Sequence, residues 1–247
     1  YYFHAICQGG LDVFIKQLLE FNSSRVRLYE VNQKFAEAIP IGATVLDAGA
    51  GEAPYKVLLK HANYESADFE MVDKVYARST YVCDLKEIPV EDRRYDFVLF
   101  NQVMEHLPDP RSVLLELFRV MKPGARLLYT APLFYEEHEQ PYDFYRYTSF
   151  GIHHMFSGTG FIVEKIDWLE GYYGTIGYQM NRMHAYMPRR PSLIAKGLLG
   201  WLLSPVMILV KIQMGVLSIL FHWLEIKSKY TRAGYPKNYV AIVRRPE

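Results

Sequence analysis

Asp47, Gly49 and Gly51 stand in VLDAGAGEAPY (45–55), where a short apolar run meets two glycines one residue apart. Glycines so placed let a backbone turn tightly and come close to a ligand. A dinucleotide loop would carry a third glycine in Gly-x-Gly-x-x-Gly, and that position is Pro54. A phosphate loop would bring a lysine with its helix-terminal amides. This loop has Asp47 and Glu52 and no lysine before Lys56, so it suits a cationic ligand without phosphates. About 20 residues on, Asp68 ends the next run, where a carboxylate accepts both hydroxyls of a ribose in doubly wound folds. Glu70 and Asp73 are its rivals for that role. Asp84, followed by Leu85, stands either where an adenine amino group is bound or as a cap on the next segment. In YDFVLFNQVMEHLPDP (95–110), Asn101, Gln102, Val103 and His106 fall where a strand runs into a polar loop.

A second group of residues is suited to gripping a substrate. FYEEHEQPYDFYRYTSF (134–150) combines aromatic rings, among them Tyr142 and Tyr145, with His138, Asp143 and Arg146. Rings with polar handles make a wall for a ring system or a sugar. A hydroxyl acceptor needs a base, and His138 or His106 is the natural choice because an unshifted histidine titrates near neutrality; a capping or packing role is the alternative for His106. The run Glu136, Glu137, His138 and Glu139 reads as a solvated loop, so no metal is expected.

The elements that must position these residues follow from hydrophobic period and punctuation. Helical spacing runs over 11–20 and 23–39, with Ser23 or Ser24 as N-cap. Short β-rich runs at 43–49, 64–69, 79–84, 95–101, 125–132, 161–168 and 237–245 alternate with helical segments at 53–62, 109–122 and 149–160. Pro123-Gly124 should stop the helix over 109–122. Strands alternating with helices imply a parallel sheet covered on both faces. The expected class is α/β: a doubly wound, Rossmann-like, seven-stranded, mostly parallel sheet with an antiparallel last strand.

DAGAG between a strand and a helix, then VMEHLPDP, then LFRVMKPGARLLYTAP, together resemble the class I S-adenosylmethionine-dependent methyltransferases, particularly the small-molecule branch with quinone-type C- and O-methyltransferases. The resemblance runs from about Thr44 to Trp168, with 237–245 as the last antiparallel strand. It implies S-adenosyl-L-methionine as cofactor, with Asp47, Gly49 and Gly51 around its amino-acid part and Asp68 on its ribose. Asp84 and Leu85 then face the adenine, and Asn101 and Gln102 lie beside the methionine portion. Ala53 departs from the family pattern, which more often has glycine there. HE-x-PYDFYRYT is similar to stretches in methyltransferase-like proteins of bacterial glycan and natural-product pathways. That hints at glycosylated acceptors, with O-methylation favoured over N- or C-methylation.

The remainder of the chain is of another kind. Residues 193–224 are almost wholly apolar and longer than the ~20 residues that span a bilayer as a helix. Because the last strand must return to the sheet, a single crossing is not expected; a re-entrant or interfacial hairpin bent at Ser204-Pro205, or a helix pair packed on the domain or another subunit, is. Residues 171–247 carry eleven Lys and Arg against two Glu, whereas residues 1–170 carry seventeen against twenty-five acidic residues. A basic surface meeting something anionic follows. The expected organisation is an N-terminal helical cap (1–42), a cofactor-binding core (43–169), an apolar basic insertion (170–236) and the last core strand (237–247). The expected partners are a hydrophobic or anionic small molecule, lipid-linked or glycosylated, a membrane surface, and a second copy through 190–228; the Asn/Asp-Pro-Pro-Tyr/Phe sequence of exocyclic-amine methyltransferases is absent, which disfavours nucleic acid. Cys7 and Cys83 are too few for a disulfide framework, so the expected location is the cytoplasm, peripheral at the inner face of the membrane. The rivals are a same-fold enzyme that uses the cofactor for another reaction, and a non-catalytic subunit docking a partner through the apolar insertion.

Overall fold

The computed structural model of the chain describes residues 19, 21–71 and 76–247. The helix expected over 11–20, Cys7, and Asp73 as a rival of Asp68 lie outside the described residues. Two compact units emerge. Of the described residues, one contains those of 26–169 and Pro236–Glu247; the other contains residues 19, 21–25 and Glu170–Tyr235.

The first unit is a seven-stranded sheet with helices. Helix α1 covers Ser23–Glu37, of which Val26–Glu37 belong to this unit, and the strands of the unit are β1 (Thr44–Ala48), β2 (Asn63–Asp68), β3 (Tyr81–Val82), β4 (Tyr95–Asn101), β5 (Met121–Pro132), β6 (Ile162–Trp168) and β7 (Asn238–Arg244). Helix α2 (Pro110–Val120) precedes β5, and α3 (Ser149–Ser157) precedes β6. The sheet order is β3-β2-β1-β4-β5-β7-β6, with β7 antiparallel to both neighbours. The central strands are buried on both faces, which is why they read as apolar runs rather than alternating ones. Val45, Leu99 and Leu128 meet Phe35, Ala36 and Ile39 of the α1 region on one face. Leu46, Val98, Phe100 and Tyr129 meet Leu114, Leu117 and Phe156 on the other.

Three boundaries differ from the sequence pattern. The segment after the glycine loop is only a single tight turn, Lys56–Leu59, with Leu59 buried. Pro54 and a left-handed Ala53 (φ +50°) precede it and leave no room for an earlier helical start. Strand β5 begins at Met121, so Pro123-Gly124 lies inside the strand; Met121 pairs with Tyr95 there, and a register shift between Tyr95 and Phe97 absorbs the irregularity. Strand β3 is two residues long, the remainder of 79–84 being irregular.

The second unit contains α4 (Tyr172–Tyr186), a single turn at Pro191–Ile194, and α5 (Leu198–Lys227). The hairpin bend expected at Ser204-Pro205 does not occur. Helix α5 runs through Pro205 for 30 residues, about 45 Å at 1.5 Å per residue. It packs against α4 along a narrow seam. Gly174 and Gly177 of α4 leave so little room that an added Cβ would lie 3.0 Å from Glu225 or His222. Facing them, α5 buries Gly215, Ser218, His222 and Glu225. The Ser218 hydroxyl donates to the Gly177 carbonyl (2.9 Å), and His222 Nδ1 pairs with the Ser23 hydroxyl (2.8 Å). Mid-helix Lys211 donates to the carbonyls of His184 and Met187 at the end of α4. Only 11% of the most apolar window of α5 is buried, and Trp201, Leu202, Leu209, Val216 and Trp223 stand exposed. The helix pair is thus polar and small-residued inside and apolar outside.

Candidate active site

Strands β1, β2 and β4 end along one edge of the sheet, and the order reverses between β1 and β4. Ligands of open α/β sheets bind at that switch point. Asp47 is the fourth residue of β1, Asp68 the last of β2, Asp84 follows β3 and Asn101 ends β4. A cavity of about 260 Å³ opens here, with Gly49, Asp68, Asp84, Leu85, Gln102 and His106 among its walls and Tyr142 at its rim.

The loop geometry explains the glycines. Gly49 has φ +74°, and a Cβ on it would come within 2.4 Å of the Val103 side chain, so no larger residue fits. Gly51 (φ +52°) has open space where a Cβ would be, and its N–H donates to Asp68 Oδ2 (2.9 Å). The Glu70 N–H donates to Asp68 Oδ1 (3.0 Å), so this buried carboxylate is aimed by two backbone amides. Ala53, the departure from the glycine pattern, nevertheless adopts a left-handed backbone at φ +50°. Gln102 is also left-handed (φ +56°), held by its N–H to the Thr130 carbonyl (2.8 Å) and its amide to the Thr130 hydroxyl (3.2 Å). Strain of this kind gathers at functional sites.

Several expected residues sit behind the cavity instead of on its wall. Asp47 is buried and accepts from the Tyr64 hydroxyl (2.8 Å). Burial, with the Asp68 charge, outweighs that hydrogen bond and pushes its carboxyl up to about 6. Asn101 accepts from the Thr130 hydroxyl (2.9 Å) and donates to Asn32 Oδ1 (2.9 Å), tying β4 and β5 to α1. Asp143 and Arg146 grip each other through two hydrogen bonds, 2.6 and 2.7 Å, so each is spent on folding its own loop. Burial would raise the Asp143 carboxyl, but the Arg146 bonds, the His138 amide and the Arg146 charge hold it down at about 2. Tyr145 reaches the Pro108 carbonyl (3.3 Å) from an exposed position. Asp84 lines the cavity, and its carboxylate also accepts from the Lys86 amide (2.9 Å), as the capping reading expects.

The Asp47 environment carries a pH prediction. Its raised carboxyl contributes stability that is complete below the unfolded value of 3.8 and is lost as pH rises through about 6. The sheet unit should therefore lose on the order of 2–3 kcal/mol from this group between about pH 4 and pH 7, at 1.36 kcal/mol per unit. Asp47→Asn should flatten that part of the profile, read as the denaturation midpoint against pH.

Residues that sequence reasoning passed over complete the site. After β4, Met104–His106 form a tight turn that buries Glu105. The Glu105 carbonyl accepts from the Phe144 and Tyr145 amides (2.8 and 3.2 Å), which docks the 134–150 loop here. His106 Nδ1 lies 2.5 Å from the Tyr142 carbonyl. A carbonyl only accepts, so Nδ1 carries the proton and Nε2 keeps its lone pair. Burial, opposed by that bond, lowers the His106 pKa, so the ring is neutral near pH 7. The His138 ring stands against it, 4.7 Å between centroids, and His138 Nδ1 lies 3.2 Å from the Glu136 carbonyl. Neither oxygen of the Glu105 carboxylate has a partner in another residue among the described residues, and burial pushes this carboxyl up to about 8. The sequence signal was the adjacency in Met104-Glu105-His106, of which only the histidine stood out.

This is the sheet and switch-point site of a doubly wound nucleotide-cofactor enzyme. Residues 21–163, more than half the chain, match the methyltransferase-domain family, and the chain belongs to it. It is 33% identical over 89 residues to the ubiquinone biosynthesis O-methyltransferase of Pseudomonas fluorescens, a match covering 36% of this chain and 35% of that protein. The chain thus spans about a third of the length of the curated relatives it matches. Two solved structures share the fold. The phosphoethanolamine N-methyltransferase 2 of Haemonchus contortus, in complex with S-adenosyl-L-methionine, has a TM-score of 0.53 at 16% identity over 90% of this chain and 53% of that one. The 4+2 cyclase SpnF has a TM-score of 0.55 at 13% identity over 89% and 81%.

The chain thus carries a methyltransferase domain on the class I fold, and S-adenosyl-L-methionine is the cofactor that this family implies. The residues present fit that group. The cavity wall offers the backbone-aimed carboxylate of Asp68 and the carboxylate of Asp84. Lys86, which also lines it, is paired with Asp84 at 3.2 Å. Gly51 leaves open space where a side chain would intrude.

Proposed function

We propose that the chain methylates a hydroxyl of an apolar acceptor drawn from a membrane. The observation that carries the acceptor chemistry is His106, a neutral imidazole with a free Nε2 on the wall of an otherwise largely apolar cavity. When bound, S-adenosylmethionine supplies a methyl group on an activated sulfonium. Asp68 holds the ribose diol and Gln102 flanks the methionine portion. Leu107, Val113 and Phe144 would exclude water around the acceptor, and His106 Nε2 would take its hydroxyl proton while the oxygen bonds to the methyl carbon and the carbon–sulfur bond breaks with its electron pair left on sulfur. The name of the O-methyltransferase relatives supports oxygen as the acceptor atom. Incubation with methyl-labelled cofactor and a panel of alkyl phenols, amines and free sugars tests this reading. Label should pass to the phenols, with one S-adenosylhomocysteine formed per transfer; label on amines alone would sink it.

The helix pair supports the membrane. In water, helices bury apolar faces, whereas in lipid small residues and polar side chains pack inside and apolar ones face out. The α4–α5 seam of Gly174, Gly177, Gly215, Ser218 and His222 follows the second pattern. Arg189, Arg190, Lys227 and Lys229 flank α5, and Trp201 and Trp223 stand near its ends, as at a lipid interface. Strands β6 and β7 are neighbours in one sheet, so the intervening pair enters and leaves the bilayer on the same face. Vesicles with a third anionic phosphatidylglycerol should pellet most of the protein, and Leu202→Glu with Leu209→Glu should return it to the supernatant. A wild-type chain that stays in the supernatant as a monomer, without detergent, overturns the membrane reading. A detergent-resistant dimer would assign the same face to a second copy.

A further inference from the structure

The Glu105 side chain is fully buried, takes no hydrogen bond from another residue, and faces two imidazoles. One oxygen of Glu105 and one ring nitrogen each of His106 and His138 all lie within 4.8 Å of one another. Glu105 Oε1 is 3.8 Å from His106 Nε2, and Glu139 Oε2 is 4.0 Å from the same nitrogen. An unpaired carboxylate in the interior is strongly disfavoured unless something cationic meets it. Among the described residues Glu105 makes no ion pair with a lysine or arginine, and His106 Nε2 stands 3.8 Å from it.

We infer that Glu105, His106 and His138 hold a divalent transition-metal ion at the cavity wall. The donor set decides the class of ion. Two imidazoles and one carboxylate, with room for solvent or substrate, suit zinc and its first-row neighbours, whereas magnesium and calcium take oxygen ligands. Both rings are oriented as ligating histidines commonly are, with the nitrogen away from the ion donating to a backbone carbonyl. His106 Nδ1 is committed to the Tyr142 carbonyl, and His138 Nδ1 lies between the Glu136 carbonyl (3.2 Å) and the Asp143 carboxylate (3.3 Å), which leaves each Nε2 as the ligand atom. Tetrahedral zinc places such ligand atoms about 3.3 Å apart, a contraction within the reach of side-chain rotation. The buried hydroxyls of Tyr129 and Tyr147, both within electrostatic reach of Glu105, have no hydrogen-bond partner among the described residues. The run of four residues at 136–139 reads as solvated on its own. The loop docked on the Glu105 carbonyl contributes one histidine from that run to a site whose other members lie on β4's turn.

Resting further on the proposed O-methyl transfer, the ion would replace His106 as the group that activates the acceptor: with His106 Nε2 engaged as a ligand, it would bind the acceptor hydroxyl and lower its pKa. The hydroxyl proton passes to solvent or Glu139, the oxygen forms its bond to the methyl carbon, and the carbon–sulfur bond breaks with its electron pair left on sulfur.

The test is zinc chloride titration of the chelator-treated full chain, by calorimetry and by competition with a chromophoric chelator. One equivalent should bind with a submicromolar Kd, magnesium chloride should not compete, and cobalt loading should give a visible absorption band. Glu105→Gln preserves shape and removes the charge, and His138→Asn removes a ligand from the exposed side of the site. Each should weaken zinc about 100-fold or more and abolish the fall in Tm that the wild type shows on chelation. Zinc binding that is absent, or unchanged in both variants, overturns the proposal. Cofactor affinity measured on the same samples separates the two readings: zinc bound without S-adenosylmethionine leaves the metal site standing and removes the methyl-transfer role.

Discussion

Asp68→Ala should weaken S-adenosylmethionine at least about 100-fold in calorimetry, equivalent to about 3 kcal/mol, because two kinds of hydrogen bond are lost together. In the proposed reading the carboxylate accepts the ribose hydroxyls, and charged acceptors form the stronger bonds. It also receives the Gly51 and Glu70 amides, at 2.9 and 3.0 Å, so the glycine loop loses its anchor at the same time. Asp68→Asn distinguishes the contributions. Its single carbonyl oxygen keeps one amide while its NH2 opposes the other, so binding should fall by an intermediate factor. S-adenosylhomocysteine, which carries the same ribose without the sulfonium charge, should lose affinity in parallel. A loss confined to S-adenosylmethionine would instead place the Asp68 charge against the sulfonium.

The sheet was legible because its strands are buried on both faces and so appear as uninterrupted apolar runs between turn residues. The placement of Asp68, Gly49 and Gly51 at the cavity was legible for a related reason: it depends on the backbone path at strand ends, which sequence spacing describes well. Residues placed by loop packing were not. Asp143 and Arg146, three apart, read as substrate handles, yet their spacing lets them satisfy each other. Asp47 looked like a cofactor ligand, but the Tyr64 hydroxyl that occupies it comes from β2, and only pairing Asp47 with Ser66 in register brings Tyr64 alongside. Glu105 was hidden most completely. Nothing in Met104-Glu105-His106 tells that the glutamate points inward, since that follows from a tight turn after β4 and from the 134–150 loop closing over it.

In the other unit the largest expected effect falls on Glu225. Gly171 precedes α4 and has no side chain to cap it, so the free amides at the start of that helix need an acceptor from elsewhere. The buried Glu225 carboxylate supplies both oxygens, one to the Gly171 N–H (2.9 Å) and one to the Gly174 N–H (3.1 Å), where the helix dipole also favours a negative charge. Glu225→Ala leaves two buried donors without acceptors, and hydrogen bonds to a charged group are worth about 1.5–3 kcal/mol each. The variant should lose about 4 kcal/mol, read from the denaturation of the helix pair in detergent, whereas Glu225→Gln, which still accepts one bond, should lose about half. Truncating an exposed neighbour on the same helix, Trp223→Ala, should leave that stability nearly unchanged in detergent and weaken vesicle binding instead. The two variants thus separate the force that holds α4 to α5, which is polar and internal, from the one that would hold the pair in lipid, which is apolar and external. If Trp223→Ala destabilised the pair as much as Glu225→Ala, the outer face would have to be packed against protein.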